Sequence, residues 1–330
     1  MSKTLIVSPS WIGDAVLSHP LLVRLKQADP TGEIGVLAPP WVLPVYKRMP
    51  EVGATHALAF GHGELRLGER RRFAKTLPRY DRAVVLPNTL KSALIPWHAG
   101  IPVRTGWRGE MRYGLLNDMR TLDEAALPLI VERYAALAQP ARQKLTRPVP
   151  DPRLAVDPAA RAGAIARHGL DASRPVAAFA PGAEYGPAKR WPPRHFAQLA
   201  RDLHARGYAV WLLGSAKDAA ITAEIRQLAG DICVDLAGKT TLDEAIDLIS
   251  AAACVVSNDS GLMHVAAALD RPMAALFGSS SPAFTPPLSS KARVISLRLD
   301  CSPCFARTCP LGHTHCLETL EPARVLTALT

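Results

Sequence analysis

The sequence predicts an α/β protein built from two doubly wound domains in series, each with a parallel sheet and helices on both faces. Short apolar runs alternate with helix-period segments along the chain, which is the pattern of parallel strands joined by crossover helices. This alternation is interrupted over residues 139–158, a stretch rich in proline, arginine and aspartate. We therefore expect one domain at residues 1–150 and a second at 151–330, with that stretch as the linker.

In the first domain, strand and helix signals alternate from the amino terminus. The opening run of residues 4–8 is apolar and short, as in a buried strand, and the following apolar residues recur at helical spacing. Strands are expected at residues 4–8, 34–38, 55–60, 83–86 and 103–106, and helices at 15–27, 41–48, 69–77, 88–97 and 128–138.

In the second domain the alternation restarts after the linker. Strands are expected at residues 176–181, 209–213, 232–236, 251–256 and 273–277, and helices at 159–168, 194–206, 217–229, 242–252, 262–269 and 323–329. The last helix is a candidate for packing back onto the first domain. Two such domains place a cleft between the carboxyl edges of two sheets, where doubly wound proteins bind ligands.

The turn Ser-Asn-Asp-Ser-Gly at residues 257–261 is the strongest local signal for a ligand site. It joins a buried strand to a short helix, so free N–H groups at that helix start could receive a phosphate. The alternative is a structural turn in which Asp259 or Ser260 caps the helix. The chain has neither a G-x-G-x-x-G fingerprint nor a G-x-x-x-x-G-K-[ST] loop, which counts against a dehydrogenase and a P-loop NTPase.

The net charge of +10 is carried almost entirely by the first half of the chain. Residues 1–150 hold 21 lysines and arginines against 12 acidic residues, whereas residues 151–330 hold 18 against 17. A basic half suits nucleic acid, an anionic membrane surface or a large acidic substrate; the alternative is an arginine-rich helix that only keeps the protein soluble. No apolar run approaches the ~18 residues of a spanning helix, and no signal peptide is apparent, so a cytoplasmic protein is expected.

Four cysteines near the carboxyl terminus have the density of a metal site. Cys301, Cys304, Cys309 and Cys316 are spaced x2, x4 and x6, and two histidines lie among them. The C-x2-C pair is typical of zinc sites, but the later spacings are irregular. A structural zinc and a metal-free packed loop are both compatible with this pattern. Two further cysteines, Cys233 and Cys254, are interpreted as core residues.

Three stretches resemble a known family. They are residues 10–16 (Ser-Trp-Ile-Gly-Asp-Ala-Val), residues 181–192 (Pro-Gly-Ala-Glu-Tyr-Gly-Pro-Ala-Lys-Arg-Trp-Pro) and residues 258–272, which begin Asn-Asp-Ser-Gly-Leu-Met-His and end Asp-Arg-Pro. Together they are similar to the signatures of the ADP-heptose:lipopolysaccharide heptosyltransferases, glycosyltransferase family nine. The cysteine-containing tail at 301–313 is similar to that of the heptosyltransferase II branch.

The resemblance implies a GT-B fold of two Rossmann-like domains facing a central cleft, the first binding the acceptor and the second ADP-heptose. It implies inverting transfer of L-glycero-D-manno-heptose onto the first heptose of the Kdo2-lipid A inner core, a step of lipopolysaccharide core biosynthesis for the Gram-negative outer membrane. The expected partners are ADP-heptose and an anionic lipid A core at the inner membrane surface, with no nucleic acid. No cofactor is expected to be required, and no divalent metal either, because no Asp-x-Asp motif is present. A stimulatory effect of a divalent metal is left open.

Candidate residues follow from matching these motifs to the chemistry. Inverting transfer needs a base for the acceptor hydroxyl and charge stabilisation for the departing diphosphate. Asp14 is the candidate base, the alternative being that it caps a helix or complements its dipole. Lys189 is the candidate diphosphate cation, the alternative being an ordinary surface lysine. Donor contacts are assigned to Ser215, Asp218, Asp259, Ser260, Gly261 and His264, and acceptor contacts to Trp11, Gly13, Arg66 and Arg70.

Three alternatives to heptosyltransferase II remain at this stage. Heptosyltransferase I would act on heptose-free Kdo2-lipid A. Another GT-B nucleotide-sugar enzyme, such as an epimerase, would share the fold without needing a basic first domain. A nucleic-acid-binding protein is suggested by the sequence pI of about 9.6, but the near-neutral second half and the lack of a basic-aromatic stretch count against it.

Overall fold

The computed structural model describes residues 1–58, 60 and 64–329. The chain divides into two compact units, Met1–Pro152 and Arg153–Thr330, and the division falls inside the stretch interpreted as the linker. Within the described residues each unit holds a six-stranded sheet in which every strand pair is parallel. The predicted doubly wound α/β architecture is therefore confirmed for both units.

The sheet of the first unit has the strand order β3-β2-β1-β4-β5-β6. The parallel strands β1 and β4 are neighbours, but the chain continues from β1 to β2 on one side and from β4 to β5 on the other. The loops that follow β1 and β4 therefore diverge and leave a crevice at the carboxyl ends of these strands. The strands are β1 Lys3–Val7, β2 Glu33–Ala38, β3 Ala54–Ala57, β4 Arg82–Val85, β5 Val103–Trp107 and β6 Asp118–Arg120. The helices are α1 Ile12–Leu17, α2 His19–Ala28, α3 Leu43–Lys47, α4 Leu67–Ala74, α5 Leu90–His98 and α6 Ile130–Ala136.

Three features of this unit differ from the prediction. The helix expected at 15–27 is divided at Ser18 into α1 and α2, because Pro20 has no N–H to continue the first helix. The strand expected at 55–60 is shorter, and its residue 59 lies outside the described residues. Strand β6 was not predicted, since its Asp-Met-Arg sequence at the sheet edge carries no apolar run.

The second unit repeats the same topology, with the order β12-β11-β10-β7-β8-β9. Its switch point lies between β7 and β10, the counterparts of β1 and β4. The strands are β7 Val176–Ala180, β8 Ala209–Leu212, β9 Cys233–Asp235, β10 Cys254–Asn258, β11 Met273–Leu276 and β12 Ala292–Ile295. The helices are α7 Pro158–Arg167, α8 Pro193–Ala205, α9 Ala219–Ala229, α10 Leu242–Ala251, α11 Gly261–Ala268, α12 His315–Glu318 and α13 Pro322–Leu329.

Strand β10 begins three residues later than predicted, because α10 continues to Ala251. The strand β12 and the helix α12 were not predicted. The last helix, α13, packs against α8, β11 and β12 of its own unit, where Val325 is fully buried. Its proposed packing on the first domain stays a prediction.

The core of the second unit surrounds the inner strands and the helix α8. Trp191, Phe179 and Phe196 are fully buried there, and burying side chains of this size contributes about 2–3 kcal/mol each. Cys233 and Cys254 belong to the same core, as predicted, and burial raises the pKa of each thiol to about 12. Among the described residues, no helix combines the length and the apolar character needed to cross a bilayer.

Candidate functional site

The loop that carries Lys189 leaves the sheet at the switch point of the second unit. Strand β7 ends at Ala180, and the chain then passes through Gly182 to a single 3-10 turn, Pro187–Lys189, before α8 begins. The amide N–H of Lys189 donates to the carbonyl of Gly186 at 3.2 Å. Lys189 therefore lies on a short, hydrogen-bonded turn and not on an open surface loop.

Asn258, the last residue of β10, fastens both ends of this loop. Its side-chain oxygen accepts from the amide of Trp191 at 3.1 Å, and its amide group donates to the carbonyl of Pro181 at 2.6 Å. Asn258 is fully buried, so water cannot reach its side chain. The two hydrogen bonds therefore satisfy polar groups that would otherwise be left without a partner. Asn258 is part of the signature at residues 258–272, but its bracing contacts could not be predicted, because they join positions 67 and 77 residues apart.

The site itself is centred on an ion pair between Lys189 and Asp259. Nζ of Lys189 lies 2.5 Å from Oδ2 of Asp259, and only 17% and 6% of the two side chains are exposed. The ammonium also lies 5.1 Å from the centre of the Tyr185 ring, within the range of a cation–π contact. The guanidinium of Arg307 lies 5.1 Å from the same ring. Two cations thus flank one aromatic side chain beside a buried carboxylate.

The tail of the chain braces this loop from outside. The hydroxyl of Tyr185 donates to the carbonyl of Phe305 at 2.8 Å, and the amide of Ala188 donates to the carbonyl of Arg307 at 3.0 Å. At Gly186 any Cβ would collide with the backbone oxygen of Arg307, so the approach of the tail requires glycine. No local sequence pattern indicates this contact, because Tyr185 and Phe305 lie 120 residues apart.

The helix α11 begins directly after the ion pair. Ser260 is its N-cap, with extended backbone angles, and forms no side-chain capping bond, while Gly261 is the first helical residue. The amide of Met263 donates to the carbonyl of Ser260 at 3.2 Å, which leaves the amides of Gly261 and Leu262 to meet an anion, and Asp259 is not the capping residue. The Oγ atoms of Ser260 and Ser257 lie 3.2 Å apart.

His264 lies one turn into α11 and is 95% buried. Burial lowers the pKa of its imidazole to about 4; Asp259 acts in the opposite direction and Lys189 reinforces the lowering. The ring is therefore neutral at pH 7. As an uncharged group it can offer a hydrogen bond to a ligand but no positive charge for a phosphate.

Ser215 and Asp218, assigned to the donor, lie in the loop after β8 and pair with each other. Oδ2 of Asp218 accepts from the amide and from the hydroxyl of Ser215, at 2.9 and 2.8 Å. The same carboxyl group occupies the space where Gly182 would carry a side chain. Asp218 therefore orders this edge of the site, and its contact with a donor stays a prediction.

In the first unit, Asp14 lies at the corresponding edge, in the first turn of α1. The N-cap of this helix is Trp11, so Asp14 does not cap it, although its charge is still favourable to the helix dipole. Its carboxylate acts on two buried phenols: burial raises the pKa of Tyr46 to about 12 and that of Tyr134 well above its usual value, and Asp14 raises both further. Asp14 is half-buried beside these rings.

Two tryptophans stand beside Asp14 at the same edge. Trp11 and Trp41 are 48% and 49% exposed, which is unusual for so large an apolar side chain. Nε1 of Trp41 donates to the carbonyl of Ser10 at 3.0 Å, which ties the loop after β2 to the loop after β1. Trp11 and Gly13 were predicted to contact the acceptor, whereas Trp41 was not, although Trp41 also follows a strand at this edge.

The two arginines assigned to the acceptor have partners in their own segment. Arg70 is 97% buried; its guanidinium donates to the carbonyls of Leu65 and Glu64 and lies 4.5 Å from the centre of the Phe60 ring. Arg66 is exposed and forms ion pairs with Glu64 and Glu69. Both side chains thus order the segment before α4, and a direct role at an acceptor stays a prediction.

The four cysteines of the carboxyl-terminal tail differ in their exposure and in their surroundings. Four backbone amides, that of Thr314 first, lower the pKa of the Cys309 thiol, whereas burial raises that of Cys316. Cys301 and Cys304 are exposed. Over residues 1–58, 60 and 64–329 there is no group of three or more histidine, cysteine or acidic side chains arranged to hold a metal ion.

Comparison with known proteins gives consistent matches over the chain. Residues 70–315 match the sequence profile described as glycosyltransferase family 9 (heptosyltransferase). The lipopolysaccharide heptosyltransferase 2 of Escherichia coli K12 is 49% identical over 99% of this chain and 97% of its own length. The lipooligosaccharide heptosyltransferase 2 of Haemophilus influenzae is 49% identical over 89% of this chain and 88% of its own.

A solved structure extends this similarity to the fold. The structure of ADP-heptose lipopolysaccharide heptosyltransferase II from E. coli is 47% identical and covers 99% of this chain and 97% of its own, with a TM-score of 0.89. That agreement assigns the two doubly wound units to the GT-B fold, as the sequence signatures implied.

Proposed function

Since the chain belongs to glycosyltransferase family 9, the heptosyltransferases, we propose that it is a lipopolysaccharide heptosyltransferase II. It transfers L-glycero-D-manno-heptose from ADP-heptose onto the first heptose of the Kdo2-lipid A inner core, with inversion at the anomeric carbon. The single observation that carries the choice of the second enzyme over the first is the 49% identity to a curated heptosyltransferase 2 across nearly the whole chain.

The donor diphosphate binds at the switch point of the second unit. The half-buried Lys189 and the amide groups at the start of α11 supply positive charge there, and the guanidinium of Arg307 lies nearby, against the Tyr185 ring. Asp259 holds the ammonium in place before the donor arrives. As the bond from the anomeric carbon to the diphosphate oxygen breaks, charge develops on the departing ADP, and these groups stabilise it without having to rearrange.

Asp14 of the first unit takes the proton of the acceptor hydroxyl as its oxygen attacks the anomeric carbon. A carboxylate is a suitable base for this step, and its half-buried position limits competition from water. Tyr46 and Tyr134 stay protonated beside it, because burial and the charge of Asp14 raise the pKa of both. Trp11 and Trp41 offer flat apolar surfaces on which sugar rings can stack.

The charge distribution agrees with an anionic acceptor. A lipid A core carries phosphates and Kdo carboxylates, and the excess of nine positive charges lies in residues 1–150. The same excess would favour binding at the cytoplasmic face of the inner membrane, which carries anionic lipids. No divalent metal is required in this proposal, because Lys189 and the helix amides supply the charge that a metal would provide.

The acceptor specificity can be tested with two purified lipid A cores and ADP-heptose. One core lacks both heptoses, and the other carries the first heptose. We expect wild-type protein to transfer heptose to the heptose-bearing core only, measured by mass spectrometry of the product. Transfer to the heptose-free core would make the chain a heptosyltransferase I, and release of ADP without a new glycosidic bond would contradict transferase activity.

A further inference from the structure

A large cavity opens on the β11–β12 side of the second unit. Its volume is about 600 Å³, in the range of sites that hold small organic ligands. A smaller cavity of about 160 Å³ contains Lys189 and Asp259, and the two cavities share Ser280 and Ser281. The large cavity therefore adjoins the candidate donor site, but none of the donor contacts predicted from the sequence lines it.

The charged groups of the large cavity are both positive. Arg298 and Arg324 line it, and no carboxylate does. Within the described part of the chain, neither guanidinium has an ion pair or a side-chain hydrogen bond, whereas Arg120 and Arg194, for example, form ion pairs. Two such cations facing one concave surface attract an anionic group.

The cavity also contains polar groups suited to a sugar. Ser280 is 91% buried, and its hydroxyl has no hydrogen-bond partner among the described protein groups, an arrangement that costs roughly 1–3 kcal/mol unless water or a ligand satisfies it. Rotation about its Cα–Cβ bond is enough to reorient this hydroxyl. Ser281, Ser296 and Ser302 add further hydroxyl groups to the wall.

The topology separates this cavity from the nucleotide end of the donor. In the order β12-β11-β10-β7-β8-β9, the predicted donor contacts Ser215 and Asp218 follow β8, on one side of the switch point. Lys189 and Asp259 lie at the switch point, and the large cavity lies on the opposite side. A donor that extends from β8 to the switch point therefore presents its sugar toward the large cavity.

We propose that this cavity binds an anionic group of the saccharide acceptor, with Arg298 and Arg324 as its cations and Ser280 as a hydrogen-bond donor. This inference rests on the proposed function, because it takes the acceptor to be a phosphate- and carboxylate-bearing core. It adds an acceptor subsite in the second unit to the acceptor contacts expected in the first. Phosphate and Kdo carboxylate share the oxyanion chemistry that two arginines recognise.

The test compares Arg324→Gln, Arg298→Gln and the double variant with wild type, measuring KM separately for the heptose-bearing core and for ADP-heptose. Arg293→Gln is the matched control, because Arg293 is an exposed arginine of β12 that does not line the cavity. We expect the double variant to raise the acceptor KM about tenfold and to leave the donor KM unchanged. A tenfold change corresponds to the loss of one to two charge-assisted hydrogen bonds at an accessible site. The control should change neither value.

Dephosphorylated acceptor distinguishes the two sources of the anion. If removing phosphate abolishes the difference between wild type and the double variant, the ligand group is a phosphate; if the difference persists, it is a Kdo carboxylate. An unchanged acceptor KM in the double variant, or a rise in donor KM instead, would overturn the inference. The inference would also be overturned if inorganic phosphate bound to wild type, as detected by phosphorus NMR, and the acceptor KM of the double variant were nevertheless normal.

A second readout separates this inference from the proposed function. Deacylated core oligosaccharide, which keeps both its phosphates and its Kdo carboxylates, is titrated calorimetrically into wild type and the double variant. Absence of heptose transfer by wild type would contradict the proposed function, whereas equal binding of the oligosaccharide by both proteins would overturn the anion subsite alone.

Discussion

At the scale of single residues, the site is organised by charges that are already balanced within the protein. Lys189 and Asp259 form a pair in a largely buried position, so neither charge is left uncompensated before a donor binds. His264 beside them is neutral because burial outweighs the attraction of Asp259. An incoming diphosphate therefore meets one ammonium and the amides of α11, and no second titratable cation from this helix.

The neutral state of His264 makes stability depend on pH. Its pKa is about 4 in the folded protein and 6.5 in the reference state, so the unfolded chain binds the proton first as pH falls. The contribution of His264 is fully present above about pH 6.5 and is lost progressively toward pH 4. Between pH 7 and pH 5 we expect wild type to lose about 2 kcal/mol more unfolding free energy than His264→Gln, measured by urea denaturation.

The variant His98→Gln, in the helix α5, controls for replacing a histidine by glutamine as such. Equal losses in wild type and His264→Gln would show that the imidazole of His264 does not stay neutral in the folded state.

At the scale of elements, the position of Lys189 depends on segments far apart in the chain. Asn258 at the end of β10 joins both ends of the Lys189 loop, and residues 305–307 of the tail close over it. Gly186 is where the tail and the loop come closest. The tail therefore contributes to the site through its backbone carbonyls, independently of any role of its cysteines.

Replacing Gly186 by alanine tests this bracing. The added Cβ would collide with the carbonyl oxygen of Arg307, so the loop or the tail must move, at a cost of about 1–3 kcal/mol. We expect kcat/KM for heptose transfer to fall about tenfold or more, since Lys189 lies on the next turn. The measurement is steady-state transfer kinetics together with the thermal midpoint.

Gly163→Ala in α7 is the matched control, because its Cβ would meet only Nη1 of Arg167 at an ordinary 3.6 Å. That variant should keep wild-type kinetics and gain a little helix stability. Wild-type kinetics for Gly186→Ala as well would mean that the contact of the tail does not position Lys189.

At the scale of the whole molecule, the alternation of strands and helices could be predicted because each inner strand is an apolar run. The edge strands β6 and β12 could not, since partly exposed strands such as Asp-Met-Arg carry no such run. Asp14 and Lys189 were chosen from local motifs. The bracing by Asn258 and Arg307 was missed because it joins residues 67 to about 120 positions apart, which no local pattern reports.

The charge asymmetry is also a property of the whole molecule that the sequence predicted. Residues 1–150 carry the basic excess, yet Arg70 and Arg66 within it are engaged by their own segment. Exposed neighbours such as Arg71 and Arg72 therefore contribute more to the field that an acceptor meets. Formal charge predicts an anionic partner, in agreement with the proposed acceptor, but does not indicate the individual contacts.

In the proposed mechanism the proton acceptor belongs to the first unit, and the donor diphosphate binds to the second. The most direct test is heptose transfer by Asp14→Asn, with calorimetric binding of ADP to the same protein and Asp151→Asn, an exposed aspartate, as control. We expect kcat to fall at least ~100-fold, the usual contribution of a general base, while ADP affinity stays at the wild-type value. Wild-type kcat in Asp14→Asn would contradict the assignment of the base, and a parallel loss of ADP affinity would contradict the division of roles between the units.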